Sequence, residues 1–174
     1  MQLAPNTVHV WTASLSISEE QSLSMLTIFS KDEQERAMRF RFPVHRLRYV
    51  ATHYILRRII SLYTGTTPKS LEFDHTEYKK PYLKTPKDTQ LHFNLSHSED
   101  MALYAFTLEN PLGIDIEKVK DKYNFDVSDR FFSTAEQDQL AKYSDNEQRD
   151  AFFCLWARKE AIIKAIEELG YMAK

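Results

Sequence analysis

Hydrophobic positions recur with two periods along this chain, and these periods predict strands interspersed with helices. Residues 8–13 alternate between apolar and polar side chains with the two-residue period of a strand. Short runs of the same kind follow at 71–75, 90–95, 101–108 and 112–117, separated by turns that carry Pro, Asp, Asn and Ser. Because the last three runs follow one another directly, we predict small antiparallel or mixed sheets rather than repeated βαβ units.

Capping boxes predict where the helices begin, since the capping side chain and a Glu or Gln three positions later satisfy each other's backbone N–H groups. The clearest helix runs from 43 to Gly65 and carries a single apolar stripe. The last helix runs from 145 to Gly170 and is apolar around most of its circumference, so it must be buried. The predicted boxes are Ser18 with Gln21, Ser30 with Glu33 (opening a helix over 31–40), Ser133 with Glu136, and Asp145 with Gln148.

Composition narrows the classes of protein that fit. The chain has 174 residues, 43% of them hydrophobic, which suits one domain or two small subdomains, and its net charge of −2 offers no global field for nucleic acid or lipid. The single cysteine, Cys154, excludes a disulfide framework and a cysteine zinc site, and we expect it to be a small buried side chain. Three glycines are too few for a glycine-rich phosphate loop, so side chains must hold any nucleotide phosphates. We find no membrane-spanning run or signal peptide and expect a cytoplasmic protein.

The candidate chemistry begins with the sequence Gly113-Ile114-Asp115-Ile116-Glu117. On a strand, both carboxylates point to one face and both isoleucines to the other. Two neighbouring carboxylates repel each other unless a cation lies between them, and a hard divalent ion such as Mg²⁺ prefers carboxylate oxygen. An edge strand with a solvated acidic face explains the same pattern, so the motif alone leaves both interpretations open.

Two further stretches carry polar groups that need an explanation. Residues 156–164 place Glu160, Lys159 and Lys164 on the apolar last helix. Glu160 and Lys164 are four positions apart and are therefore neighbours on one side, which also fits a helical salt bridge. In the turn-like sequence at 94–98, His97 is either a ligand-binding group or a turn histidine that bonds its own backbone.

Taken together, these blocks resemble the 4′-phosphopantetheinyl transferases of the larger, surfactin-synthetase-activating (Sfp) type. The resemblance covers essentially the whole chain and implies an α+β fold of two α/β halves, related by a pseudo-twofold axis and built on small, mostly antiparallel sheets. The halves are expected at 1–111 and 112–174. The matching blocks, in order, are Lys80-Pro81, residues 94–98, residues 113–117, and residues 131–136 with 156–164.

The resemblance implies an enzyme that transfers the 4′-phosphopantetheine arm of coenzyme A to a serine of an apo acyl, peptidyl or aryl carrier protein. It also implies release of adenosine 3′,5′-bisphosphate, a requirement for Mg²⁺ with Mn²⁺ as the alternative, and a place in fatty-acid, polyketide or nonribosomal-peptide biosynthesis. A metal ion with lysines stabilises the charge that builds on the departing bridging oxygen. Glu160 is the candidate general base. No nucleic acid or membrane partner is expected.

The resemblance assigns roles residue by residue. The implied metal ligands are Asp115, Glu117 and Glu160, and the implied catalytic residues are Glu160 and Lys164. The implied coenzyme A contacts are Arg36, Arg48, Lys80, Ser96, His97, Lys159 and Lys164. The carrier protein is expected to contact Lys120, Tyr123, Phe125 and Phe131, with Lys118 and Lys122 adding positive charge beside them.

The family pattern usually continues past the second signature into a Lys-x-x-Gly-x-Gly-Leu-like turn and further strands, whereas this sequence ends at Lys174. We therefore expect 112–174 to be a shortened second half, and self-association through the last helix as the alternative to the monomer typical of the family. The alternative function is a non-catalytic protein that binds coenzyme A or a carrier protein. An unrelated interaction domain with surface charges is a third interpretation.

Overall fold

The computed structural model describes residues 1–76, 80–87, 89–121 and 128–168, and it confirms an α+β fold with small antiparallel sheets. A short 3₁₀ helix, Pro68–Ser70, lies between the third helix and the second strand. The elements in chain order are β1 His9–Ser14, α1 Glu19–Leu26, α2 Lys31–Met38, α3 Pro43–Thr64, β2 Glu72–His75, β3 Pro81–Thr85, β4 His92–Ser98, β5 Met101–Thr107, α4 Ser128–Phe131, α5 Thr134–Leu140 and α6 Asp145–Glu168.

The strands form two antiparallel sheets. One has three strands in the order β1-β5-β4, and the other is the hairpin β2-β3. In the larger sheet Tyr104 lies opposite Trp11 on one side and Leu95 on the other, so these three side chains share one face. That face packs against α3, where the Tyr104 hydroxyl donates to the carbonyl of Thr52 at 3.1 Å. The opposite face of β4 contacts residues 113–118.

Local sequence signals place most helix ends. The boxes at Ser18, Ser30 and Ser133 all form, with both reciprocal hydrogen bonds in each. Gly65 ends α3 with φ of 71°, a left-handed conformation that glycine adopts at little cost. The capping box predicted for the last helix was wrong by one residue, since Ser144 rather than Asp145 caps it. The Ser144 carbonyl accepts the N–H of Gln148, and the Ser144 N–H and hydroxyl both donate to the carboxylate of Glu147.

The strand predictions were less accurate. The strand predicted at 112–117 does not form, because this segment bonds to side chains of β4 instead of pairing its backbone with a strand. β4 extends to Ser98 rather than ending at 95, because its ladder with β5 continues to the pair of Ser98 with Met101. The hairpin partner β3 was missed, since it is five residues long and begins with proline.

The last helix is less buried than its composition predicts. Phe152 is buried against Phe132 and Leu140, but Ile162 is 58% exposed. Cys154 is exposed, contrary to prediction, because it lies two positions and about 200° around the helix from Phe152. Among the described helices, none is both long enough and apolar enough to cross a membrane.

A buried arginine ties the helices of the first part together. Arg57 on α3 is 2% exposed and donates to the carbonyls of Pro68 and Leu71 at 2.7 and 2.9 Å. Its other terminal nitrogen donates to the carboxylate of Glu33 on α2 at 2.5 Å, and its guanidinium lies 5.0 Å from the centre of the Phe73 ring. The charge is thus neutralised and hydrogen-bonded, which a buried cation requires.

Arg57→Met should lower the free energy of unfolding by about 3 kcal/mol, because it leaves the mostly buried carboxylate of Glu33 without its cation and two carbonyls without their donor. Arg46→Met is the matched control, since Arg46 pairs with the exposed carboxylate of Glu19. This control should cost no more than about 1 kcal/mol. Denaturant unfolding measures both, and equal losses would contradict the role of burial.

A half-buried histidine makes stability depend on pH. The ring centre of His53 lies 4.1 Å from that of Tyr49, with the two rings tilted by 35°, and its Nδ1 lies 2.9 Å from the Tyr49 carbonyl oxygen. Burial lowers the pKa of His53 to about 4, from an ordinary value of 6.5, because desolvation disfavours the imidazolium. Between these values the unfolded chain binds more protons than the folded one, so this contribution is complete above pH 6.5 and is lost as the pH falls toward 4.

We expect stability to fall by up to about 1.4 kcal/mol per pH unit across that window. His53→Phe should flatten the slope, because phenylalanine fills the site without titrating. His45→Asn, at an exposed histidine, should leave the slope as in the wild type. Unfolding measured from pH 7 to pH 4 tests this, and a slope that survives His53→Phe would assign it to other groups.

Candidate active site

The acidic segment at 113–118 lies along β4 and is held by side chains of that strand. Asn94, Ser96 and Ser98 alternate along β4 and therefore share the face away from α3. The Asn94 amide oxygen accepts the N–H of Ile114 at 2.8 Å, and the Ser98 hydroxyl accepts the N–H of Lys118 at 3.0 Å. Because contacts advance in the same direction along both segments, the acidic segment runs parallel to β4.

Both carboxylates of the motif turn toward this strand. Asp115 Oδ1 accepts from the Ser96 hydroxyl at 2.7 Å, and Glu117 Oε2 accepts from the Ser98 hydroxyl at 3.4 Å. The Asp115 side chain is 5% exposed, and its second oxygen, Oδ2, is buried without a hydrogen-bond partner among the described residues. A buried carboxylate oxygen normally has a partner, so this atom marks a place where a ligand would complete the structure.

Lys164 on α6 neutralises Asp115. Its ammonium donates to Asp115 Oδ1 at 2.6 Å, to the Ser96 hydroxyl at 3.2 Å and to the Ile114 carbonyl at 3.3 Å. An ammonium group has three N–H donors, and these three contacts use all of them. A phosphate that recruits Lys164 must therefore replace some of these bonds.

The other side of the acidic segment lies against α6. A β-carbon on Gly113 would overlap the Ala161 carbonyl oxygen and would lie 2.8 Å from the Ala165 nitrogen, so glycine permits this backbone approach. Lys80, 8% exposed, donates to the carbonyls of Leu112 and Lys164, each at 3.2 Å. The segment is thus held between β4 and α6. Lys80, the residue before β3, bonds to the start of this segment and to α6.

The second lysine of the helix has a different partner. Lys159 lies 2.8 Å from Glu136 of α5 and 5.6 Å from the centre of the Phe132 ring. The hydrogen bond from Lys159, followed by that from the Ser133 N–H, lowers the pKa of Glu136 to about 2. Glu160 lines the adjoining groove of about 260 Å³ with Phe131 and Trp156.

Arg48 and His97 lie near the end of β4 and the turn that follows it. Arg48 donates to Asp100 at 2.9 Å and to Glu99 at 2.8 Å, and the hydrogen bond to Asp100 contributes most to raising its pKa. His97 is opposite Ala102 in the sheet, so it projects from the α3 face while Ser96 projects from the other. Desolvation, then the positive charges of Arg48 and Lys164, lowers the pKa of the His97 imidazole.

Three of the predicted coenzyme A residues line one cavity. It has a volume of about 300 Å³ and is bounded by α2, α3, β3, β4 and α6. Arg36, Lys80 and Lys164 give it three cationic side chains, and the exposed Arg36 also borders a neighbouring cavity of about 450 Å³. The positive lining suits an anionic ligand.

The predicted metal ligands are partly assembled. Asp115 and Glu117 share the side facing β4, and Glu160 lies on α6 one turn before Lys164. Across the described ranges, no three His, Cys, Asp or Glu side chains converge closely enough to hold a metal ion. The donor chemistry nevertheless fits Mg²⁺, since Asp115 Oδ2 is a carboxylate oxygen without a hydrogen-bond partner among the described residues.

The predicted carrier surface is described in part. Lys118 and Lys120 are exposed, and Phe131 is 55% exposed. Phe132 is 5% exposed and packs in the core of α5 and α6. Lys122, Tyr123 and Phe125 lie outside the described residues.

Several functional residues were missed by the sequence analysis. Asn94 and Ser98 anchor the acidic segment, and Glu136 holds Lys159 besides capping α5. Alternating polar residues in a strand that pairs along its whole length were the available signal for Asn94 and Ser98. Nothing local marks Glu136 as the partner of Lys159, 23 positions away, because that contact depends on how α5 packs against α6.

Comparison with known proteins agrees with this architecture. Residues 11–109 match the family model described as "4′-phosphopantetheinyl transferase, N-terminal", and residues 111–172 match that of the 4′-phosphopantetheinyl transferase superfamily. The 4′-phosphopantetheinyl transferase HetI of Nostoc sp. is 36% identical over 167 residues, which cover 95% of this chain and 70% of HetI. The 4′-phosphopantetheinyl transferase Sfp of Bacillus subtilis is 32% identical over 148 residues, which cover 85% of this chain and 64% of Sfp.

The chain belongs to the 4′-phosphopantetheinyl transferase superfamily. Within that superfamily it is of the Sfp and HetI type, and the sequence motifs had predicted the Sfp type. It spans about two thirds of the length of these relatives.

Gly113→Ala should displace the acidic segment from α6, because the added methyl group meets helix backbone, which cannot rotate away. We expect a loss of about 2 kcal/mol of stability and faster amide exchange at Ile114. Gly65→Ala is the control: its left-handed backbone makes it costly by about 1 kcal/mol, but the space around it is open and the site is remote. Equal exchange at Ile114 in both variants would refute the close contact.

Proposed function

We propose that the chain transfers the 4′-phosphopantetheine arm of coenzyme A to a serine of an apo carrier protein. The observation that carries the proposal is the buried, unpartnered Asp115 Oδ2 beside a lysine-lined cavity, within a chain of this superfamily. The serine oxygen forms a bond to phosphorus, the bond from phosphorus to the bridging pyrophosphate oxygen breaks, and adenosine 3′,5′-bisphosphate leaves.

Asp115, Glu117 and Glu160 would hold Mg²⁺, which supplies positive charge beside the pyrophosphate when bound. Lys164 and Lys159 supply further charge once their bonds to Asp115 and Glu136 are exchanged for phosphate oxygen. Glu160 is proposed to accept the serine proton, and its half-buried place in the groove beside Phe131 supports that role.

The nucleotide end of coenzyme A is proposed to occupy the cavity lined by Arg36, Lys80 and Lys164. Ser96 and His97 project from opposite faces of β4, so they would contact different parts of the ligand. Arg48 would join them by exchanging Glu99 or Asp100 for phosphate. The carrier protein is proposed to contact the exposed Phe131, beside the groove that Glu160 lines, together with Lys120, Tyr123 and Phe125.

Mass spectrometry of an apo carrier protein incubated with the chain, coenzyme A and Mg²⁺ tests the proposal, because transfer adds the mass of phosphopantetheine. Asp115→Asn should slow transfer at least a hundredfold, since it keeps the shape of the side chain but removes the charge of the carboxylate whose Oδ2 has no partner among the described residues. Asp138→Asn, at an exposed aspartate of α5, should transfer as the wild type does. Coenzyme A binding without any mass gain would overturn the proposal in favour of a binding protein.

A further inference from the structure

Asn94 and Ser98 have no place in the assigned ligand sets, yet both bond the segment that carries Asp115 and Glu117. The Asn94 side chain is 6% exposed, and its oxygen accepts the Ile114 N–H immediately before Asp115. The Ser98 hydroxyl accepts the Lys118 N–H immediately after Glu117 and donates to Glu117 itself. The two acids are therefore bracketed by two bonds from one strand.

These side-chain hydrogen bonds replace the backbone hydrogen bonds that would hold a neighbouring strand in a sheet. The acidic segment at 113–118 belongs to no strand, so its register on β4 rests on side chains. A backbone ladder repeats at every second residue and resists slippage, whereas here Asn94 and Ser98 supply the fixed points at the two ends. Between them, Ser96 bonds Asp115 and shares Lys164 with it.

We propose that Asn94 and Ser98 are positioning residues that set the register of the acidic segment, and thereby the placement of the two carboxylates toward a divalent cation. This inference rests on the proposed function for its metal ion. Residues that orient metal ligands from behind usually change metal affinity by about tenfold or more when removed. Their effect on the segment itself does not depend on any ligand.

Ser98 gives the cleaner test, because it is half-buried and lies at the end of β4. Ser98→Val and Ser98→Thr have the same branched shape, but threonine keeps the hydroxyl. Thr12→Val removes a hydroxyl from an exposed position on the same face of the sheet, in β1 and away from the segment. Asn94→Leu provides a second variant at the other fixed point.

Amide hydrogen exchange measures whether the acidic segment keeps its register on β4. Titration with Mn²⁺, followed by electron paramagnetic resonance, measures the affinity of the two carboxylates for a divalent cation. In Ser98→Val, exchange at Lys118 should accelerate at least tenfold while exchange at Tyr104 in β5 stays unchanged. Mn²⁺ binding should weaken about tenfold. Ser98→Thr should restore both, and Thr12→Val should alter neither. Asn94→Leu should act in the same way at Ile114.

Unchanged exchange and Mn²⁺ affinity in Ser98→Val would overturn the inference, as would an equal effect of Thr12→Val. A wild-type chain that does not bind Mn²⁺ would also overturn the link to the metal ion. Failure of the proposed function is separate: it would appear as no mass gain on the carrier protein even though the Ser98 variants shift exchange and Mn²⁺ binding as expected.

Discussion

The ion pair between Lys164 and Asp115 is the contact on which the arrangement of the site depends. It joins α6 to the acidic segment, and through Ser96 it joins both to β4. Asp115 is almost fully enclosed, so its charge would be expensive to bury without the ammonium. The pair therefore fixes where the last helix lies relative to the sheet, although the two residues are 49 positions apart in sequence.

Two further contacts around this pair hold the acidic segment in place. Gly113 admits the helix backbone, and Lys80 reaches two carbonyls from the start of β3. Three elements distant in sequence thus meet at one short segment without regular secondary structure. Such a segment is free to present both of its acids on one side, which suits a site that must accept a ligand.

Local sequence patterns predicted the elements whose causes are local. The box at Ser30 and the glycine at 65 fix helix ends through bonds that span three or four residues, and both form as expected. The acidic segment kept its predicted one-sided carboxylates but not its strand, since Asn94 and Ser98 supply the hydrogen bonds that a strand neighbour would supply. The family motifs predicted a set of site residues, but they carry no information about which lysine pairs with which acid in the folded chain.

The carboxylate of Glu136 serves two structures at once. It closes the cap at the start of α5 by accepting from Ser133, and it holds the ammonium of Lys159 from α6. Any ligand that draws Lys159 away leaves Glu136 with its helix bonds alone, so the cost of recruiting that lysine falls partly on the attachment of α5 to α6. The position of Lys159 and the cap at the start of α5 thus depend on the same oxygen atom.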